Sequence, residues 1–268
     1  MLRLASSGSF WRLVALWAAI LLSLIFLLAP IAIIVALSFS AARYLQFPPP
    51  GFSLQWYREF FRNPDWMSSL WLSLRIALGA TATALLLGLL AAVALVRERF
   101  PAKTAIYVLV LAPMIVPTII TAIAVYFLFA RLRMIGSPIA MALGQAVLVL
   151  PLVVIIVSAT LQGFDRRLEQ AAIILGASPL QAFLRVTVPM IAPGIASAAL
   201  FAFLSSFDEL LIPLLLSSPT TMTLPVRIWT SVIMQIDPTI TAVSSFLIAL
   251  AIAVLGAAGL LRRARGRA

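Results

Sequence analysis

Residues 164–189 read FDRRLEQAAIILGASPLQAFLRVTVP, a charged and turn-bearing stretch between two apolar runs. Its local chemistry predicts two short helices joined by a sharp turn. Asp165 is placed to N-cap the first helix, and Gly176 to end it in the left-handed conformation that glycine adopts without strain. Ser178 then caps the second helix, Pro179 suits its first position, and Gln181 completes an S-x-x-Q capping box. Pro189 closes the segment. Ala171 and Ala172 present a small, smooth surface that another protein can approach closely. On these residues alone, a hairpin tying two helices together and a docking surface for a partner are equally good readings.

The flanking runs, 139–161 and 190–214, are each long enough to cross a bilayer, which takes about 20 mostly apolar residues. Working outward, four more runs of that kind occur at 13–37, 69–95, 104–130 and 241–261. The composition agrees: 63% of the 268 residues are apolar, only 10% are charged, and mean hydropathy is +1.15. A soluble globule of this size cannot hide so much apolar surface. The first run greatly exceeds the roughly 7–15 residues of a signal-peptide core and is expected to be a retained helix. The expected fold is therefore an all-α membrane protein, six transmembrane helices in one domain over residues 1–268, with 162–189 as a loop within it.

Orientation follows from the basic residues. With the amino terminus inside, the inner segments carry twelve of the nineteen, including Arg3, Arg97, Lys103, Arg166, Arg167, Arg185 and the run Arg262, Arg263, Arg265 and Arg267. The outer segments carry six, and Arg75 lies within the second run. The positive-inside rule then places both termini and residues 162–189 in the cytoplasm of a multi-pass membrane protein. The net charge of +11 is accounted for by this asymmetry, so no nucleic-acid partner is expected.

Two outer segments stand apart. Within residues 39–68, Phe47-Pro48-Pro49-Pro50-Gly51 stops any helix, and the following Leu54–Phe61 stretch reads as a short amphipathic interfacial helix. Residues 215–240 form a second long connection rich in Ser, Thr and Pro. Pro30, Pro113, Pro117, Pro151 and Pro213 fall within the apolar runs, where each removes a helical hydrogen bond and favours a kink.

The chain holds no cysteine and no histidine, which excludes disulfides, zinc–thiolate sites and imidazole catalysis. No P-loop, nucleophile elbow or metalloprotease motif occurs. An enzyme is not expected, and no cofactor or metal site is read in this chain. Acids inside membrane segments are costly and face a partner or a wet cavity. Asp208 and Glu209, near the outer end of the fifth run, are thus candidate pathway residues, with snorkelling or pairing to Arg227 as the alternative. Trp229 is a third candidate through cation–π attraction, or else an interfacial anchor.

The 164–189 segment resembles the EAA loop of binding-protein-dependent ABC importer permeases. Ala171-Ala172, Gly176 and Pro189 fall in register with that pattern, and Val186 and Val188 replace its Ile and Leu. Gln170 stands where the pattern has glutamate, with Glu169 one residue earlier. The likeness runs from about residue 69 to 261 and includes Ala112–Pro117. Ser206–Glu209, Thr220–Trp229 and Asp237–Ser244 are similar to the spermidine/putrescine-type branch.

The resemblance implies a type I ABC importer permease fold and makes Glu169, Gln170, Ala171, Ala172, Gly176, Ser178, Pro179 and Pro189 a loop coupled to an ATPase subunit. It also implies a cytoplasmic ATPase dimer holding ATP and magnesium, a second permease, an extracytoplasmic solute-binding protein and a small solute, a polyamine such as spermidine or putrescine. A secondary transporter, or a permease for another small solute, is the alternative; this sequence shows no internal repeat of the kind that secondary transporters carry.

The arginine count predicts a labelling pattern. A single cysteine at Ser218 reacts with a membrane-impermeant maleimide in spheroplasts, and one at Gln181 does not; the reverse pattern contradicts the six-span topology.

Overall fold

The computed structural model describes the backbone of residues 7–234 and 238–265, and among these the side chains of 12–253 and 256. Arg3, Asp237 and Arg267 lie outside the described residues, as do the side chains of Arg262, Arg263 and Arg265. The described residues are helical almost throughout. In order they form α1 (Ser7–Ser38), α2 (Gln55–Arg62), α3 (Pro64–Arg97), α4 (Lys103–Ile115), α5 (Thr118–Arg131) and α6 (Pro138–Gln162). There follow α7 (Arg166–Ile174), α8 (Pro179–Ala182), a π turn (Phe183–Thr187), α9 (Val188–Phe207), α10 (Leu211–Leu216), α11 (Leu224–Met234) and α12 (Thr239–Arg265).

Four of the expected runs are single long helices: α1, α3, α6, and the rod Pro179–Phe207 that joins α8, the π turn and α9. The sixth run is helical over its whole predicted length within α12. The third run departs from expectation. It is broken between α4 and α5 by a bend of 102°. Pro117 has no N–H to donate and forces Val116 into the extended region, at φ −73° and ψ 133°. Pro30, Pro113 and Pro151 stay inside helices, so of the prolines read as potential kinks Pro117 is the one that stops its helix.

The fifth run also ends early. It was expected to stay helical to residue 214, but α9 ends at Phe207 and a short break precedes α10. The connection 215–240, expected on the outer side, holds a helix, α11, whose first amide (Leu224 N) donates to Ser73 Oγ at 2.7 Å.

The chain divides into two compact units, Met1–Met67 with Ile228–Ala268, and Ser68–Arg227. In the first, α12 packs on α1 and α2. The α2 helix forms where expected. Trp56 Nε1 donates to the Ser40 carbonyl at 2.9 Å, the Tyr57 and Ser38 hydroxyls lie 2.8 Å apart, and the fully buried Phe60 meets the Phe246 ring in a tilted contact. The aromatic residues of α2 thus tie the chain to the end of α1 and to α12.

In the second unit two apolar cores lie along α3. One joins Ala84 and Ala92 to Val153 and Val157 of α6 and to Ile191 and Ala198 of α9. The other joins Ile76 to Val125 and Phe129 of α5, Met141 of α6 and Ile212 of α10. A buried hydrogen bond, Ser206 Oγ to Gln145 Oε1 at 2.6 Å, links α9 and α6. The two helices also touch at Gly194, where any Cβ would collide with Thr160.

That contact predicts a stability difference. Gly194→Val overpacks the α6–α9 seam and lowers stability by about 1–3 kcal/mol, read as a lowered thermal midpoint in detergent. Gly256→Ala, inside α12 with nothing within 4 Å of the added carbon, does not lower the midpoint and gains up to about 1 kcal/mol of helix propensity.

Candidate functional site

The loop between α6 and α9 is built by the caps its sequence predicts. Asp165 Oδ1 accepts the Arg167 amide at 2.9 Å and starts α7. At its end, Gly176 has φ +98°. Its amide bonds the Ile173 carbonyl and the Ala177 amide bonds the Ala172 carbonyl, both at 3.0 Å, the pair that defines a Schellman stop. Ser178 Oγ accepts the Gln181 amide while Gln181 Oε1 accepts the Ser178 amide, so the capping box is complete.

The two faces of this loop differ. Outward, Ile174 is 85% and Leu175 88% exposed, with Leu168, Leu180 and Leu184 also exposed. Gln170 and Ala171 are exposed and Ala172 is half-buried. Exposed apolar side chains are thus gathered on one side of a short loop.

Inward, Glu169 binds Arg97 at the end of α3 through two hydrogen bonds, Nη1 to Oε1 at 2.9 Å and Nη2 to Oε2 at 2.6 Å. The Thr187 hydroxyl, fully buried at the end of the π turn, donates to Glu169 Oε2 at 2.6 Å and accepts from Arg97 Nη2 at 3.3 Å. The Arg97 guanidinium also lies over the Phe183 ring, 5.3 Å from its centroid. One carboxylate therefore holds α7, α3 and the start of α9 together. Sequence reasoning included Glu169 but missed Arg97, Phe183 and Thr187. No local pattern marks partners 72 and 18 residues away.

The three pathway candidates stand in different local settings. Asp208 is exposed at the end of α9. Glu209 instead caps α10, accepting the Leu211 amide on Oε1 at 3.0 Å and the Ile212 amide on Oε2 at 2.9 Å. The two acids were read as neighbours on one helix; they stand at its end and in the break beyond. Trp229 lies on α11, 45% exposed, in the other compact unit. Arg227, offered as an alternative partner for the acids, donates from Nε to Ser69 Oγ at 2.7 Å. The described residues contain no group of three or more acids that could hold a metal ion.

Comparison with known proteins places this arrangement. The family of the binding-protein-dependent transport system inner membrane component matches residues 84–266. The chain belongs to that family. It is 37% identical to the putrescine transport system permease protein PotI of Escherichia coli K12, covering 93% of this chain and 87% of the relative. It is 30% identical to the spermidine/putrescine transport system permease protein PotC of Haemophilus influenzae, covering 89% and 92%. The crystal structure of a bacterial ABC transporter involved in the import of the acidic polysaccharide alginate shares the fold. Its TM-score is 0.71 at 16% identity, over 97% of this chain and 98% of that one.

In this permease the Glu169 carboxyl feels opposing influences. Burial raises its pKa, but the Thr187 hydroxyl, the hydrogen bond and charge of Arg97, and the charge of Arg166 outweigh it, holding the group below the ordinary glutamate value. A carboxyl depressed on folding contributes fully above its unfolded pKa and loses that contribution as pH falls through the folded value. Glu169→Ala is expected to cost about 2 kcal/mol at neutral pH, the scale of a charge-assisted hydrogen bond. The difference from wild type in thermal midpoint stays constant down to about pH 5 and fades in stronger acid, below the ordinary glutamate pKa.

Proposed function

We propose that this chain is one permease subunit of an ATP-driven importer and forms half of the passage for a small polyamine such as putrescine or spermidine. Its likeness to the putrescine permease PotI over nearly the whole chain supports the solute. The observation that carries the coupling role is the loop's two-sidedness. Its apolar face is open to a partner while Glu169 fastens its other face to α3 and α9.

The chain contains no P-loop, so nucleotide chemistry through that motif belongs to a partner. A cytoplasmic ATPase dimer, holding ATP and magnesium, covers the exposed side chains of α7 and α8. A second permease completes the passage, and an extracytoplasmic solute-binding protein delivers the solute. Both termini lie in the cytoplasm, as the arginine distribution favours. Nucleotide binding brings the ATPase subunits together and displaces α7; Arg97 and Thr187 carry that displacement into α3 and α9. In the passage Asp208, exposed and uncommitted to a cap, is the better placed of the two acids to balance a cationic solute, with Glu209 fixing the local backbone. Trp229 offers an aromatic face at the outer side.

Gly176 gives a discriminating test. Nothing lies within 4 Å of a side chain added there, so the cost of substitution is the positive φ and not crowding. Gly176→Val is expected to lower uptake of labelled putrescine severalfold and to reduce ATPase co-purification, while the chain still inserts. Gly176→Asn, a residue that visits the left-handed region, keeps most of both. Full uptake by the valine variant contradicts the coupling role. Absence of an ATPase and a second permease among proteins co-purifying with wild type contradicts the importer assignment.

A further inference from the structure

Within the Ser68–Arg227 unit a cavity of about 360 Å³ is lined by Ser68, Trp71, Leu72, Arg75, Thr220, Thr221, Met222 and Arg227. Two guanidinium groups, three hydroxyls and one indole meet there, with no acid among the lining residues. The loop and α11 hold this lining in place. Ser69 fixes Arg227, Ser73 fixes the Leu224 amide, and Thr221 Oγ1 accepts the Ser218 amide at 3.1 Å.

Arg75 is the unexplained member. It is exposed on α3, on one face with Trp71 and Leu78, and has no hydrogen-bond or ion-pair partner among the described residues. An arginine within a membrane helix is costly unless a counter-ion or water meets it.

Depth decides which counter-ion fits. Arg97 is tied to the cytoplasmic loop, and the 22 residues from Arg75 to Arg97 span about 33 Å of helix at ~1.5 Å per residue. The hydrocarbon core is about 30 Å thick. Arg75 therefore reaches the opposite boundary, the level of the outer lipid headgroups, where tryptophan also prefers to sit. Arginine pairs and hydroxyls match the several oxygens of a phosphate, and the exposed indole and Leu78 below match the start of an acyl chain.

We propose that this cavity binds the headgroup phosphate of an outer-leaflet phospholipid. The site is independent of which solute the permease carries, since it needs only the spanning orientation of α3.

The test uses the full chain with its co-purifying subunits, stripped of lipid in mild detergent and titrated with phosphatidylglycerol under native mass spectrometry. Arg75→Gln, a change on an exposed face, is expected to bind the lipid about tenfold more weakly, the scale of one charge-assisted hydrogen bond. Arg75→Lys retains most of the affinity, and both keep the wild-type thermal midpoint. Equal lipid affinity in wild type and Arg75→Gln overturns the proposal. So does inorganic phosphate binding that depends on Arg75 while lipid binding does not, which assigns the cavity to free phosphate. If Arg75→Gln leaves lipid binding intact but loosens the co-purifying subunits, an acidic protein side chain is the counter-ion and the lipid assignment falls.

Discussion

The paired hydrogen bonds between Arg97 and Glu169, closed by the Thr187 hydroxyl, fasten a nine-residue surface helix to two membrane helices. An isolated helix shorter than about 12–15 residues is marginal in water. The α7 helix therefore depends on its caps for shape and on Glu169 for position. Its neighbour α8, four residues long, depends on the capping box and on continuity with the π turn. Because the π turn carries Thr187 into the same cluster, a force on α7 reaches α3 and α9 together.

What receives that force is packed tightly. The core joining α3, α6 and α9 is made of small and β-branched side chains, Ala84, Ala92, Val153, Val157 and Ala198 among them. At Gly194 the α9 backbone comes so near Thr160 that no side chain fits. Close-packed interiors transmit displacement and do not absorb it. The second core, which includes Ile76, Val125, Phe129 and Ile212, stands on two interruptions, the Pro117 bend and the Glu209-capped break. A link running from the loop through α9 therefore meets the break before α10 just where Asp208 is exposed.

Much of this was legible in the sequence, and what was not has a physical cause. The caps at Asp165, Gly176 and Ser178 follow from residues within three or four positions of one another, so local chemistry specifies them. The spans follow from apolar length alone. The Pro117 break could not be separated from Pro113 or Pro151 in advance. Whether a proline kinks or stops a helix depends on how neighbouring helices satisfy the freed carbonyl. Glu209 had a usable signal, an acid just ahead of a helix start with Pro213 in its first turn, which the continuous apolar run obscured. Arg97 and Thr187 carried none, since their meeting with Glu169 is a product of tertiary packing.

The most direct test of the account is the number of ATP molecules hydrolysed per solute imported, measured in proteoliposomes containing the assembled complex with wild-type chain or Arg97→Ala. If the cluster carries motion from the docking loop into the membrane helices, the variant still assembles and hydrolyses ATP while import falls severalfold, so the ratio rises. An unchanged ratio, with both activities kept or lost in proportion, would show that coupling does not pass through Arg97 and Glu169.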